Sequence, residues 1–148
     1  MADFLGEYEA TVDTKGRFLL PGGLKKQLPE TESSFVISRG FEGCLNMYPI
    51  KTWESIVERI KKLNDFNPKV NQFRTVFVGG ATPVELDSAG RILLPPSLKE
   101  FAGLGKDIML ASDLDKIKIW DAAKYKKIFE NISPESFGDL AMEVMGGN

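Results

Sequence analysis

Asp13-Thr14-Lys15-Gly16-Arg17-Phe18-Leu19-Leu20-Pro21-Gly22-Gly23-Leu24-Lys25 returns 74 positions later as Asp87-Ser88-Ala89-Gly90-Arg91-Ile92-Leu93-Leu94-Pro95-Pro96-Ser97-Leu98-Lys99. Asp, Gly, Arg, Leu-Leu-Pro, Leu and Lys keep their register in both copies. A chain that repeats a phrase of this length is built from two equivalent units, and each unit presents the same chemistry.

The repeat extends outward from that phrase. Ser34–Ser38 and Asp107–Ala111 are matching apolar strand candidates, and Leu45–Tyr48 and Ile117–Trp120 alternate with the period of half-buried strands. Trp53, Ile56, Val57 and Ile60 follow in the first half, and Tyr125, Ile128 and Phe129 in the second, each set on one helical face. Each half therefore reads strand, tight turn, strand, short helix, strand, loop, strand, helix. Asn67-Pro68 separates the first long helix from a second helical stretch around Val70, Phe73, Val76 and Phe77, which Gly79-Gly80 ends. Ser133-Pro134 starts a last helix as N-cap and first helical residue, and Gly146-Gly147-Asn148 forms a frayed end.

Asp-x-x-Gly is a turn signal, with Asp at the first and Gly at the fourth position of a type I turn. A left-handed Gly makes it a turn-plus-bulge hairpin that projects Arg17 and Arg91 from the start of the next strand. Leu-Leu-Pro then reads as a buried strand running into a short helix, with Pro21 or Pro95 in its first turn. Gly and Leu-Leu-Pro are scaffold, Asp13 and Asp87 shape the turns and orient the arginines, and Arg is the residue that hairpin geometry does not require. Lys15 stands at the first turn where Ala89 stands at the second, so the copies are unequal.

The 148 residues carry 19 Lys and Arg against 21 Asp and Glu, a net charge of −2, which argues against a broadly polybasic surface but not a locally basic one. With no histidine, Ser-His-Asp and Cys-His devices, imidazole bases and His-containing zinc sites are all excluded. The single cysteine, Cys44, reads as a small buried apolar residue and points to a reducing cytoplasm. No apolar run approaches the ~18–20 residues that span a bilayer, and Met1-Ala2-Asp3-Phe4 lacks the basic start of a secretory signal. Asp113 and Asp115 form a short acidic loop, read as solvated. No phosphate-binding loop or carboxylate pair suggests an enzyme, so no catalytic residue, cofactor or metal is expected.

With these residues in hand, the chain resembles the MraZ family of bacterial transcriptional regulators, built from two tandem SpoVT-AbrB (AbrB-like) domains. Phe4-Leu5-Gly6-Glu7-Tyr8, both Asp-x-x-Gly-Arg phrases, Ser38-Arg39-Gly40-Phe41-Glu42-Gly43-Cys44-Leu45 with Met47-Tyr48-Pro49, Gly79-Gly80-Ala81 and Lys118-Ile119-Trp120 carry the likeness over nearly the whole chain. The resemblance implies an α+β, β-dominated fold in which two swapped-hairpin units form a pseudo-twofold β-barrel with flanking helices. Expected boundaries are residues 7–54 and 81–124 for the two domains, 55–80 for a helical connector and 125–148 for a C-terminal helical region.

The resemblance further implies a cytoplasmic, nucleoid-associated protein that assembles into rings. It would bind double-stranded DNA at direct repeats upstream of the division and cell-wall gene cluster, which includes its own gene, with repression as the expected outcome. The family's DNA-contacting Asp-x-x-x-Arg signature falls on Asp13 to Arg17 and Asp87 to Arg91. Arg17 and Arg91 are the expected base readers, and Lys15, Lys25, Lys26 and Lys99 the expected phosphate contacts. Arg39 is a weaker candidate, with a loop or subunit contact as its other role. Lys99, Lys118 and Tyr125 depart from the family's commoner Arg, Glu and Trp. The competing reading is a non-catalytic structural or protein-interaction module in which the Asp–Arg pairs are internal braces.

Overall fold

The computed structural model describes residues 3–29 and 32–146. The first half runs β1 (Glu7–Thr11), β2 (Arg17–Leu19), α1 (Gly22–Lys25), β3 (Ser34–Arg39), β4 (Leu45–Pro49), α2 (Ile50–Lys61) and α3 (Pro68–Phe77). The second runs β5 (Thr82–Glu85), β6 (Arg91–Leu93), α4 (Pro96–Phe101), β7 (Asp107–Asp113), β8 (Lys116–Asp121), α5 (Ala122–Ile128) and α6 (Pro134–Met145). The repeated order is the one that the two phrases and their flanks predict. Asn67 and Ser133 cap α3 and α6 through their side chains, each followed by Pro at the first turn. The expected loose end at Gly147-Asn148, and the start at Met1-Ala2, lie outside the described residues.

Six strands form one antiparallel sheet in the order β1-β7-β8-β4-β3-β5, and β2 pairs with β6 in a separate two-stranded ribbon. The halves exchange strands. β1 lies on β7 of the second half, with Tyr8 opposite Leu110, while β5 lies on β3 of the first, with Val84 opposite Phe35. The two hairpins β3–β4 and β7–β8 meet edge to edge through β4 and β8, where Leu45 faces Ile119.

The expected closed barrel is not formed. β1 and β5 are edges of the large sheet, and the ribbon pairs only with itself. The reason lies in the shortness of β2 and β6, three residues each, and in the prolines beyond them. Leu20 and Leu94 are succeeded by Pro21 and Pro95, which have no N–H to extend a ladder and instead precede α1 and α4. Nor do β1 and β2 form a regular hairpin. After Asp13 donates its N–H to the Arg17 carbonyl, the two strands part into different sheets.

Ribbon and sheet sandwich the main core. Phe18, Leu20, Leu24, Ile92, Leu94 and Leu98 pack down onto Phe35, Ile37, Leu45, Met47, Leu110 and Ile119. On its other face the sheet is covered by helices. Tyr48, Ile60 and Phe77, with Trp53 and Ile56, form an aromatic-rich cluster under α2 and α3, and Trp120 with Tyr125 lies under α5. Val36–Ser38 of β3 is consequently buried on both faces. Among the described residues no helix is long and apolar enough to cross a membrane.

Candidate nucleic-acid interface

Each repeated turn closes on its own aspartate. Gly16 donates its N–H to the Asp13 carbonyl at 3.0 Å, and Gly90 does the same to Asp87 at 2.9 Å. Both glycines sit in the left-handed region, at φ +86° and +81°, where an L side chain is strained. The carboxylates then collect donors. Asp13 Oδ1 accepts the N–H groups of Lys15 and Arg17, both at 2.9 Å, and Oδ2 accepts Arg17 Nε at 3.0 Å. Asp87 repeats this with Ala89 at 2.9 Å, Arg91 N at 2.8 Å and Arg91 Nε at 2.9 Å.

These contacts hold both carboxyls below the ordinary value of 3.8. The backbone N–H of the arginine is the main cause. Desolvation opposes it, and the guanidinium and the next turn N–H add to it. Among the described residues, the side chain of each arginine is thus committed through Nε alone. Among the described residues, no acceptor takes the terminal nitrogens of Arg17 or Arg91. The end of the guanidinium that makes forked, bidentate contacts is left open.

The β2–β6 ribbon brings the two copies onto one face. Arg17 lies opposite Leu93, Phe18 opposite Ile92 and Leu19 opposite Arg91. Phe18 and Ile92 point inward, 1% and 0% exposed, so Arg17, Leu19, Arg91 and Leu93 share the outer face. Leu20 donates to the Gly90 carbonyl and Leu94 to that of Gly16, which lashes each strand to the other copy's turn. Lys15 is exposed at the first turn, and Lys25 Nζ lies 3.8 Å from where a Gly90 Cβ would stand. Lys26 caps the end of α1 and is exposed, while Lys99 occupies the last turn of α4 and is half-buried.

The chain matches the family described as "MraZ protein, putative antitoxin-like" twice, over residues 4–75 and 77–145. The chain belongs to the MraZ family. It is 43% identical over 150 aligned positions to Transcriptional regulator MraZ of Christiangramia forsetii, covering all of this chain and 96% of the relative. The Flavobacterium psychrophilum protein of that name is 43% identical over 148 positions, covering 99% of this chain and 94% of the relative. That of Lachnoclostridium phytofermentans is 39% identical over 138, covering 93% and 92%. Each half of the chain is thus an MraZ repeat carrying one Asp–Arg turn.

Arg39, Asp113, Asp115 and Cys44 lie away from the ribbon. Arg39 donates through Nη1 to the Val76 carbonyl near the end of α3, at 2.9 Å, and stacks 5.4 Å from the Phe101 ring. It braces α3 and α4 against β3, away from the ribbon. Asp113 and Asp115 face lysines, with Asp113 Oδ2 at 3.2 Å from Lys118 and Asp115 Oδ1 at 3.0 Å from Lys116. Cys44 is buried, and burial pushes its thiol up from the ordinary value.

One expectation needs correcting. Leu-Leu-Pro does not bury the strand as a unit, because Leu19 and Leu93 are 58% and 54% exposed while Leu20 and Leu94 are buried. Alternation through Arg17-Phe18-Leu19-Leu20 is the signal that marks the outward leucines.

Proposed function

We propose that this protein is a sequence-specific DNA-binding transcriptional regulator that reads duplex DNA with Arg17 and Arg91. One observation carries the reading. In both copies the arginine is anchored at its backbone and Nε on the outer face of one two-stranded ribbon, with its terminal nitrogens uncommitted among the described residues. A ribbon of two strands fits the major groove, and a guanidinium fork matches guanine O6 and N7. Lys15, Lys25, Lys26 and Lys99 supply phosphate contacts, which position the protein rather than specify sequence. The names of the relatives support the regulatory role.

The finer assignments come from the family resemblance. Residues 7–54 and 81–124 form the paired SpoVT-AbrB units, related by a pseudo-twofold axis, with 55–80 and 125–148 as helical additions. The matching exchange of β1 onto β7 and β5 onto β3 supports that symmetry. The protein acts in the cytoplasm on the nucleoid, as a ring that binds direct repeats and represses the division and cell-wall cluster containing its own gene. A single acidic protomer offers few cationic contacts, so several ribbons engaging several repeats gain through effective concentration.

The test is a footprint on the DNA upstream of its gene, with affinity measured against salt for wild type and an Arg17→Ala/Arg91→Ala variant. Wild type should protect repeated sites and weaken steeply as salt rises. The folded double variant should lose the footprint. Equal protection by both proteins would remove the arginines from the site and favour the brace reading.

A further inference from the structure

We infer that Leu19 and Leu93 are themselves sequence-reading residues, seating on thymine 5-methyl groups in the major groove beside the bases that Arg17 and Arg91 engage. This rests on the DNA-binding reading proposed above.

A lone exposed leucine says little, since much of any protein surface is apolar. These two are placed differently. Register puts Leu93 across from Arg17 and Leu19 across from Arg91, so arginines occupy one diagonal of the ribbon's outer face and leucines the other. Side chains on one face of a strand recur every ~6.8 Å, which is two residues of rise. Base pairs recur every ~3.4 Å along the duplex, so the two levels of the ribbon sit about two base-pair steps apart. At each level a guanidinium and an isobutyl group stand side by side, ~4.5–5.5 Å apart at Cβ.

The chemistry of the groove selects what each can meet. Base edges there offer donors, acceptors and one apolar group, the thymine methyl. Leucine can satisfy no hydrogen bond, and pressing it on a polar edge would strip that edge of water without return. Beside an arginine suited to guanine, it therefore favours thymine.

Each leucine is also held. Leu93 Cδ1 lies 3.8 Å from where a Cβ on Gly16 would stand, and Leu19 Cδ1 lies 3.7 Å from the same point on Gly90. Each rests on the bare turn of the other copy, which lowers the cost of ordering it against DNA. A protein partner covering the leucines would also cover the terminal guanidinium nitrogens of both arginines, which have no acceptor among the described residues. Major-groove acceptors and phosphates provide for them.

The experiment compares the footprinted upstream duplex, made with thymine, against the same duplex made with uracil throughout, which removes every 5-methyl and leaves base pairing intact. Wild type and a Leu19→Ala/Leu93→Ala variant are titrated on both. Wild type should bind the uracil duplex at least about fourfold more weakly, the effect of one buried methyl-sized group. The variant should bind the thymine duplex more weakly than wild type, discriminate less between the two duplexes, and keep the same salt slope and subunit assembly. Equal wild-type affinity for both duplexes, or unchanged discrimination in the variant, overturns the proposal. So does a variant that fails to assemble, since the leucines then belong to a subunit contact. If wild type binds neither duplex, the DNA reading falls first and this inference with it.

Discussion

Asp13 holds Arg17 at two points, accepting its backbone N–H on Oδ1 at 2.9 Å and its Nε on Oδ2 at 3.0 Å. One carboxylate therefore closes the turn and aims the side chain that leaves it. Asp87 and Arg91 repeat the arrangement to within 0.1 Å at both contacts. Because Nε is the tethered atom, the turn makes no use of the terminal nitrogens. Ordering of this kind before a ligand arrives reduces the entropic cost of binding.

Lysine cannot copy that geometry, since its single ammonium must either pair with the aspartate or reach outward. Arg17→Lys and Arg91→Lys should keep the net charge and the salt dependence of DNA binding. Each should still lose ~1–3 kcal/mol of discrimination between cognate and scrambled duplexes. Competition titrations with the two duplexes check this. Retained discrimination in both variants would make charge, not the fork, the feature that matters.

The pH dependence of the turns has a definite sign. Asp13 and Asp87 titrate below the ordinary 3.8, so their contribution is complete above that value and lost as pH falls through the lower folded one. Carboxyl carbon NMR should find both midpoints below 3.8 in the native protein. From neutral pH down to about 5, neither turn should change its protonation. A midpoint above the ordinary value would mean that these donors do not persist in solution.

Gly16 and Gly90 should be intolerant for conformational reasons and not steric ones. A Cβ on either would meet only ordinary contacts, at 3.8 and 3.7 Å, but their positive φ penalises any L residue. Gly16→Ala and Gly90→Ala should each destabilise by ~1–2 kcal/mol in denaturant unfolding. Gly22, in α1 with open space around it, is the control, and Gly22→Ala should be neutral or slightly stabilising. Similar costs at all three positions would contradict the turn geometry.

The C-terminal helix α6 buries none of its residues, and Phe137, Leu140 and Val144 recur on one exposed face, at 65%, 53% and 63%. Under the assembly proposed above, that face is covered by another subunit. Phe137→Glu/Leu140→Glu should leave the thermal unfolding of the protomer unchanged and shift sedimentation toward smaller species. An unaltered mass distribution would place the subunit contact elsewhere.

Much of this molecule was legible along the chain. Turn chemistry at Asp13-x-x-Gly16 and the cap at Ser133 are local effects, decided within a few residues of backbone, and Leu45–Tyr48 is a strand as expected but buried on both faces instead of half-buried. The duplication was visible too, and with it the pairing of Asp with Arg in each turn. Strand partnership was not. Nothing within β1 distinguishes pairing with β2 from pairing with β7, because backbone hydrogen bonds are alike wherever strands meet. The choice depends on which arrangement lets Phe18, Leu24, Ile92 and Leu98 pack onto the sheet. For the same reason the chain could not show an open sheet with a separate ribbon in place of a barrel. That Leu19 and Leu20, identical and adjacent, face solvent and core respectively is marked only by the alternation through Arg17-Phe18-Leu19-Leu20. By itself the sequence determined the two units and their turns. Only the tertiary structure put Arg17, Arg91, Leu19 and Leu93 on one face, because that face exists only once the halves exchange strands and β2 finds β6.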